Sequence, residues 1–103
     1  MRTIIFNVCG QRISAGSDVS GIVGGSFGYL QFQFGFDKSW EGCKNIAVFK
    51  SQDLKIPVLL NEDGTCSAPK EMRDKPSFWV YAVGVKPGFR IESEGYLIVQ
   101  GGK

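Results

Sequence analysis

The chain contains no histidine. That absence removes the commonest general base and the usual nucleophile–histidine triads. Cysteine is scarce too. Cys9, Cys43 and Cys66 are odd in number and widely spaced, with no CxxC among them. Neither a structural zinc site nor a disulfide framework is expected; three small, buried or half-buried thiols kept reduced in a cytoplasm are. Charge is nearly balanced, 12 Lys and Arg against 10 Asp and Glu. A net +2 spread along the chain does not point to nucleic acid or another polyanion. No apolar run approaches the roughly 20 residues of a membrane span. The opening MRTIIFNVCGQR has one Arg and a short apolar run broken by Asn7, which is not a secretory signal. The expectation is therefore no cofactor, no metal, no nucleic acid and no membrane.

What the chain does have is aromatic and apolar side chains, 13% and 43% of 103 residues. That composition argues for a packed core and, at this length, for a single domain spanning 1–103. The stretch FGYLQFQFGF at 27–36 sets the pattern. At period two, Leu30, Phe32, Phe34 and Phe36 share one face, while Tyr29, Gln31, Gln33 and Gly35 share the other. A helix would scatter these rings around its cylinder. One aromatic face on a strand requires a second layer, most simply another sheet. The turn that follows, Asp37 to Gly42, carries Trp40, expected to fold back over the end of the core.

Other strands are read at 2–8, 45–50, 54–60, 65–68, 77–85, 89–92 and 96–100, separated by turn signals such as Asn61-Glu62-Asp63-Gly64 and Lys86-Pro87-Gly88. Residues 14–26 read as a long Gly/Ser loop with a short strand near 19–23. Pro57 marks its strand as an edge or as irregular at that point, since proline cannot donate to a ladder. Segment 69–75 has room for one helical turn. Residues 77–85 are apolar on both faces, so that strand is either central and covered or meets a partner. The chain end, 101–103, reads as frayed. The predicted architecture is all-β, a two-sheet antiparallel β-sandwich of immunoglobulin-like size with seven to eight strands. Its predicted core holds Leu30, Phe32, Phe34, Phe36, Trp40, Val48, Val58 and Val80.

No constellation points to catalysis, and no catalytic residue is assigned. Lys44 beside Cys43 would lower a thiol pKa only if both side chains faced the same way, and neighbours on a strand do not. Glu62, Asp63, Glu71, Asp74, Glu92 and Glu94 read as solvated acids of turns and connectors. The glycine-rich segment 21–28 lacks the Lys-Ser/Thr of a phosphate loop and leads into a strand rather than a helix. Exposed Tyr29, Trp79 and Tyr81 could stack on sugars or bases, but no basic residue stands between Trp79 and Tyr81 or directly beside Tyr29 in sequence. Packing or interface roles fit them better.

In the order and spacing of several blocks the chain resembles the small β-sandwich modules at the N-termini of tail, baseplate upper and head-fibre proteins of phages of Gram-positive hosts. The blocks are Gly10-Gln11, Tyr29-Leu30 leading to Phe32-x-Phe34, Trp40-Glu41-Gly42, Lys44-x-x-Ala47-Val48-Phe49, Val58-Leu59-Leu60-Asn61, Cys66-x-Ala68-Pro69-x-Glu71 and 78–85. Ala68 stands where that family usually has Val, and Ile91-Glu92-Ser93 where it is often Thr-rich. Family members that anchor fibres carry further domains, so this chain is expected to be a free-standing decoration or head-associated protein, or a module reused for another purpose.

The resemblance implies a non-enzymatic virion protein, made in the host cytoplasm, that attaches through protein–protein contacts as an oligomer. Its edges and apolar strand faces are the means. The expected partner contacts are Tyr29, Gln31 and Gln33, with Trp79 or Tyr81. Two alternatives stay open: a small phage or prophage inhibitor of a host or defence protein, and a carbohydrate-binding sandwich on the particle surface.

Overall fold

Alternating apolar residues form nine strands in the computed structural model, which describes residues 1–101. They are β1 (Arg2–Cys9), β2 (Arg12–Ala15), β3 (Leu30–Phe36), β4 (Lys44–Ser51), β5 (Leu54–Leu59), β6 (Thr65–Ser67), β7 (Ser77–Lys86), β8 (Phe89–Glu92) and β9 (Tyr96–Val99). Lys38–Trp40 and Lys70–Met72 each make a short 3-10 turn, the first capped by Asp37, whose carboxylate accepts from the Ser39 amide. One sheet runs β2-β1-β3-β6. The other runs β5-β4-β7-β8, with β9 also paired to β7. The fold is an all-β sandwich of two layers.

The phenylalanine row lies between the layers. Phe32 and Phe34 of β3 stand beside Ile4, Phe6 and Val8 of β1; from the other sheet come Ala47, Phe49, Phe78, Val80, Ala82 and Ile98. Phe32 stacks on Phe6 at 5.8 Å within its sheet and meets Phe49 at 5.3 Å and Phe78 edge-on at 6.4 Å across the gap. Each such ring contributes about 1.5–3 kcal/mol by leaving water. Leu30, Phe36 and Val58 are partly buried against this cluster. Trp40 closes one end. It is buried, lies 4.9 Å from Phe36, and its indole N–H donates to the Gly10 carbonyl at 2.8 Å.

Several expectations are corrected. β1 and β3 pair in parallel, Ile4 opposite Phe32 and Phe6 opposite Phe34, so the first sheet is mixed rather than purely antiparallel. Alternation has the same period in either direction and cannot tell them apart. Residues 14 and 15, expected in the loop, belong with Arg12 and Ile13 to strand β2, hairpinned to β1 through Gly10 at φ +58°. The short strand expected near 19–23 does not form; only Val23 makes a single bridge, to Gly101. Gly101 is therefore held rather than frayed, its amide donating to the Ile22 carbonyl; the expectation for 102–103 falls outside the described residues. Nine strands replace seven to eight because β2 is added; β8 and β9, both expected, share one edge of β7, opposite Val83–Lys86 and Ser77–Val80 respectively. Pro57 does lie in an edge strand, β5.

Val48, also predicted for the core, is placed differently from the rest. It is buried, at 5% exposure, but does not belong to the cluster between the sheets. On β4 the inward residues are Asn45, Ala47 and Phe49; Val48 points the other way, between Pro57 of β5 and Tyr81 of β7. The sheet is wide enough there for its outer surface to bury a valine against its own neighbours.

Candidate interaction surface

A sandwich has two outer faces, and here they differ in chemistry. On the four-stranded sheet the outward residues of β1 and β3 are Thr3, Ile5, Asn7, Gln31, Gln33 and Gly35. This face is polar and partly occupied by its own loop: the Ile5 amide donates to Ser17 Oγ, and the Gly16 amide to the Ile5 carbonyl. Thr3 Oγ1 donates to Gln31 Oε1 at 3.3 Å. Gln33 is exposed, and Tyr29, just ahead of β3, is 54% exposed.

The five-stranded sheet presents the opposite. Its strands place Lys44, Ile46, Val48 and Lys50 (β4), Trp79, Tyr81, Val83 and Val85 (β7), Lys55, Pro57 and Leu59 (β5), and Leu97 and Val99 (β9) on one surface. Register turns these into rows. Leu59, Ile46 and Val83 stand side by side, as do Pro57, Val48 and Tyr81; Lys55, Lys50, Trp79 and Leu97 make the next row. Val48 and Val83 are buried at the centre, while Leu59, Trp79, Leu97 and Val99 are 41–61% exposed around it. Trp79 rests on the backbone of the β8–β9 connection, where a Cβ on Gly95 would sit 3.0 Å from its ring. The Lys55 ammonium lies 5.9 Å from the Tyr81 ring centre.

The five contacts expected from the sequence thus fall on opposite sides of the molecule. Tyr29, Gln31 and Gln33 lie with the four-stranded sheet, and Trp79 and Tyr81 with the other, so one flat partner cannot touch all five. Missed were Lys44, Lys50, Lys55, Leu59, Leu97 and Val99. Their signal was present in the lysines that alternate with Ile46 and Val48 along β4, but strand register was needed to bring them beside Trp79.

A cavity of about 280 Å³ opens at one end of the sandwich, lined by Arg2, Ile22, Tyr29, Met72, Arg73 and Phe78 among others. No acid or cysteine lines it. Arg2 is tied to the loop, donating to the Asp18 and Ser20 carbonyls at 3.0 and 2.6 Å. Among the described residues no three His, Cys, Asp or Glu side chains come together as metal ligands, and no helix is long and apolar enough to cross a membrane. Asp18 and Asp63 are held below the ordinary carboxylate value by hydrogen bonds, first from the Ser20 and Thr65 hydroxyls respectively. Burial pushes the Cys66 thiol up to about 12. These are the signatures of turn closure and core packing, not of a poised acid, base or nucleophile.

No family model matches the chain, and no curated protein or solved structure matches it either.

Proposed function

We propose that the chain is a non-enzymatic docking module of a phage virion, a head-fibre, decoration, tail or baseplate component that attaches through protein–protein contacts. The observation that carries the docking half is the outer face of the five-stranded sheet. Apolar side chains form a contiguous patch around two buried valines there, and no other part of the described chain covers it. Such a patch on a rigid scaffold marks an interaction site. The particle half rests on the sequence resemblance to phage modules of immunoglobulin-like sandwich type.

Size supports repetition. Four strand positions about 4.8 Å apart, the last shared by β8 and β9, with seven residues at about 3.4 Å each, make a face of roughly 450 Å², about half of what one partner gives to a standard interface. A single contact of that area is weak, and arrays of weak contacts around a symmetry axis hold through multivalency.

The test is the copy number of the protein in purified particles, by quantitative mass spectrometry. Several copies per particle are expected. Abundance in infected cells with absence from particles would replace this reading with the inhibitor alternative.

A further inference from the structure

We infer that the partner of the five-stranded face is a protein surface with an apolar centre and an acidic border, rather than a second copy of this face. The inference rests on the docking reading above and names its partner. Among the outward side chains of this sheet are four cations, Lys44, Lys50, Lys55 and Arg90, and one acid, Glu92. Glu92 is already engaged by Arg90 at 3.3 Å. Among the described residues no carboxylate lies within ion-pairing distance of Lys44, Lys50 or Lys55. The whole chain carries only +2, so the positive charge is concentrated here and the remainder is slightly acidic.

Three lysines without a carboxylate partner, beside an apolar patch, fix the sign of what can sit on it. A second copy placed face to face would double the cations against two already paired acids, and like charges held together at an interface oppose association. An acidic border supplies the missing counter-charges, and the apolar centre buries Trp79, Leu97 and Leu59. A single nucleic-acid strand would also meet the cations and stack on Trp79 and Tyr81. The aliphatic side chains decide against it: Leu59, Ile46, Val83, Val85, Leu97 and Val99 outnumber the two rings and have nothing to stack on in a nucleotide.

The experiment titrates the isotope-labelled protein with strand-forming peptides that share one Leu/Tyr side and differ on the other in carrying Glu, Ser or Lys, and with an oligo-dT strand. Amide shifts locate each probe. The Glu peptide is expected to shift β4, β7 and β9 and to bind at least about tenfold tighter than the Lys peptide. That advantage should vanish in about 0.5 M salt and in a Lys50→Glu/Lys55→Glu variant. Equal binding of all three peptides on this face would overturn the acidic partner and leave the docking reading standing. No shifts on the face with any peptide would overturn both. Tighter binding of oligo-dT, or shifts on dilution of the protein alone, would reassign the face to nucleic acid or to self-association.

Discussion

Ser93 completes the hydrogen bonding of Ala82 with both its main chain and its side chain. The Ser93 amide donates to the Ala82 carbonyl at 2.9 Å, and the Ala82 amide donates to Ser93 Oγ at 2.9 Å. This is where the partner of β7 changes from β8 to β9 and the regular ladder is interrupted. The hydroxyl stands in for the missing carbonyl and passes its own proton to the Glu94 carbonyl. Ser93→Ala leaves a buried amide without a partner, at a cost of about 1–3 kcal/mol. Chemical denaturation should show that loss, and hydrogen exchange at Ala82 should accelerate.

Gly84 owes its identity to Trp40. A Cβ there would stand 2.7 Å from Trp40 Cε3. Glycine in a strand normally weakens it, so an alanine would otherwise stabilise. Here Gly84→Ala must displace the buried indole and strain its bond to the Gly10 carbonyl. A loss of about 1–3 kcal/mol is expected from overpacking, read as a lower thermal midpoint with altered Trp fluorescence.

The three thiols should react in order of exposure. Cys9, expected to be at least half-buried, is exposed because it falls on an outward position at the end of β1; Cys43 is half-buried and Cys66 buried. Ellman's reagent should label Cys9 first and Cys66 only on unfolding. Cys66 also makes the fold alkali-sensitive. Its thiol is raised by burial from 9.0 to about 12, so between those values the unfolded chain loses a proton that the folded chain keeps. Stability from this group is full below pH 9 and falls as pH rises towards 12. Cys66→Ala should flatten that slope.

At the acid end, Asp63 accepts from the Thr65 hydroxyl at 2.6 Å and the Thr65 amide at 3.1 Å, closing the turn into β6. Its lowered folded value means that its contribution is present above the ordinary value of 3.8 and is lost as pH falls below it. Asp63→Asn should reduce the pH dependence of the melting temperature in that window. Asp18, bonded by Ser20 in the same way, contributes with the same sign.

The layers were legible because one residue in two is decisive on β3, where Phe32 and Phe34 alternate with glutamines. The orientation of β1 was not, since Ile4, Phe6 and Val8 match Phe32, Phe34 and Phe36 in either direction. On β4 the run Ile46-Ala47-Val48-Phe49 is apolar on both sides, so nothing local assigned Val48 to the outer surface. The apolar outer side of β7 was legible as a choice between cover and partner. Its cationic border was not, because Lys50 and Lys55 lie far from Trp79 in sequence and meet it only through register.

The central claim is that the module docks through the Trp79 face and not through Gln31 and Gln33. The direct measurement is the copy number, in purified particles, of two variants made in the infected host: Trp79→Glu/Leu97→Glu and Gln31→Lys/Gln33→Lys. All four side chains lie outside the core, so each variant should keep its fold, which circular dichroism and thermal melting check. The account predicts that the first is lost from particles while the second stays at wild-type copy number. Retention of the first, with loss of the second, would contradict it.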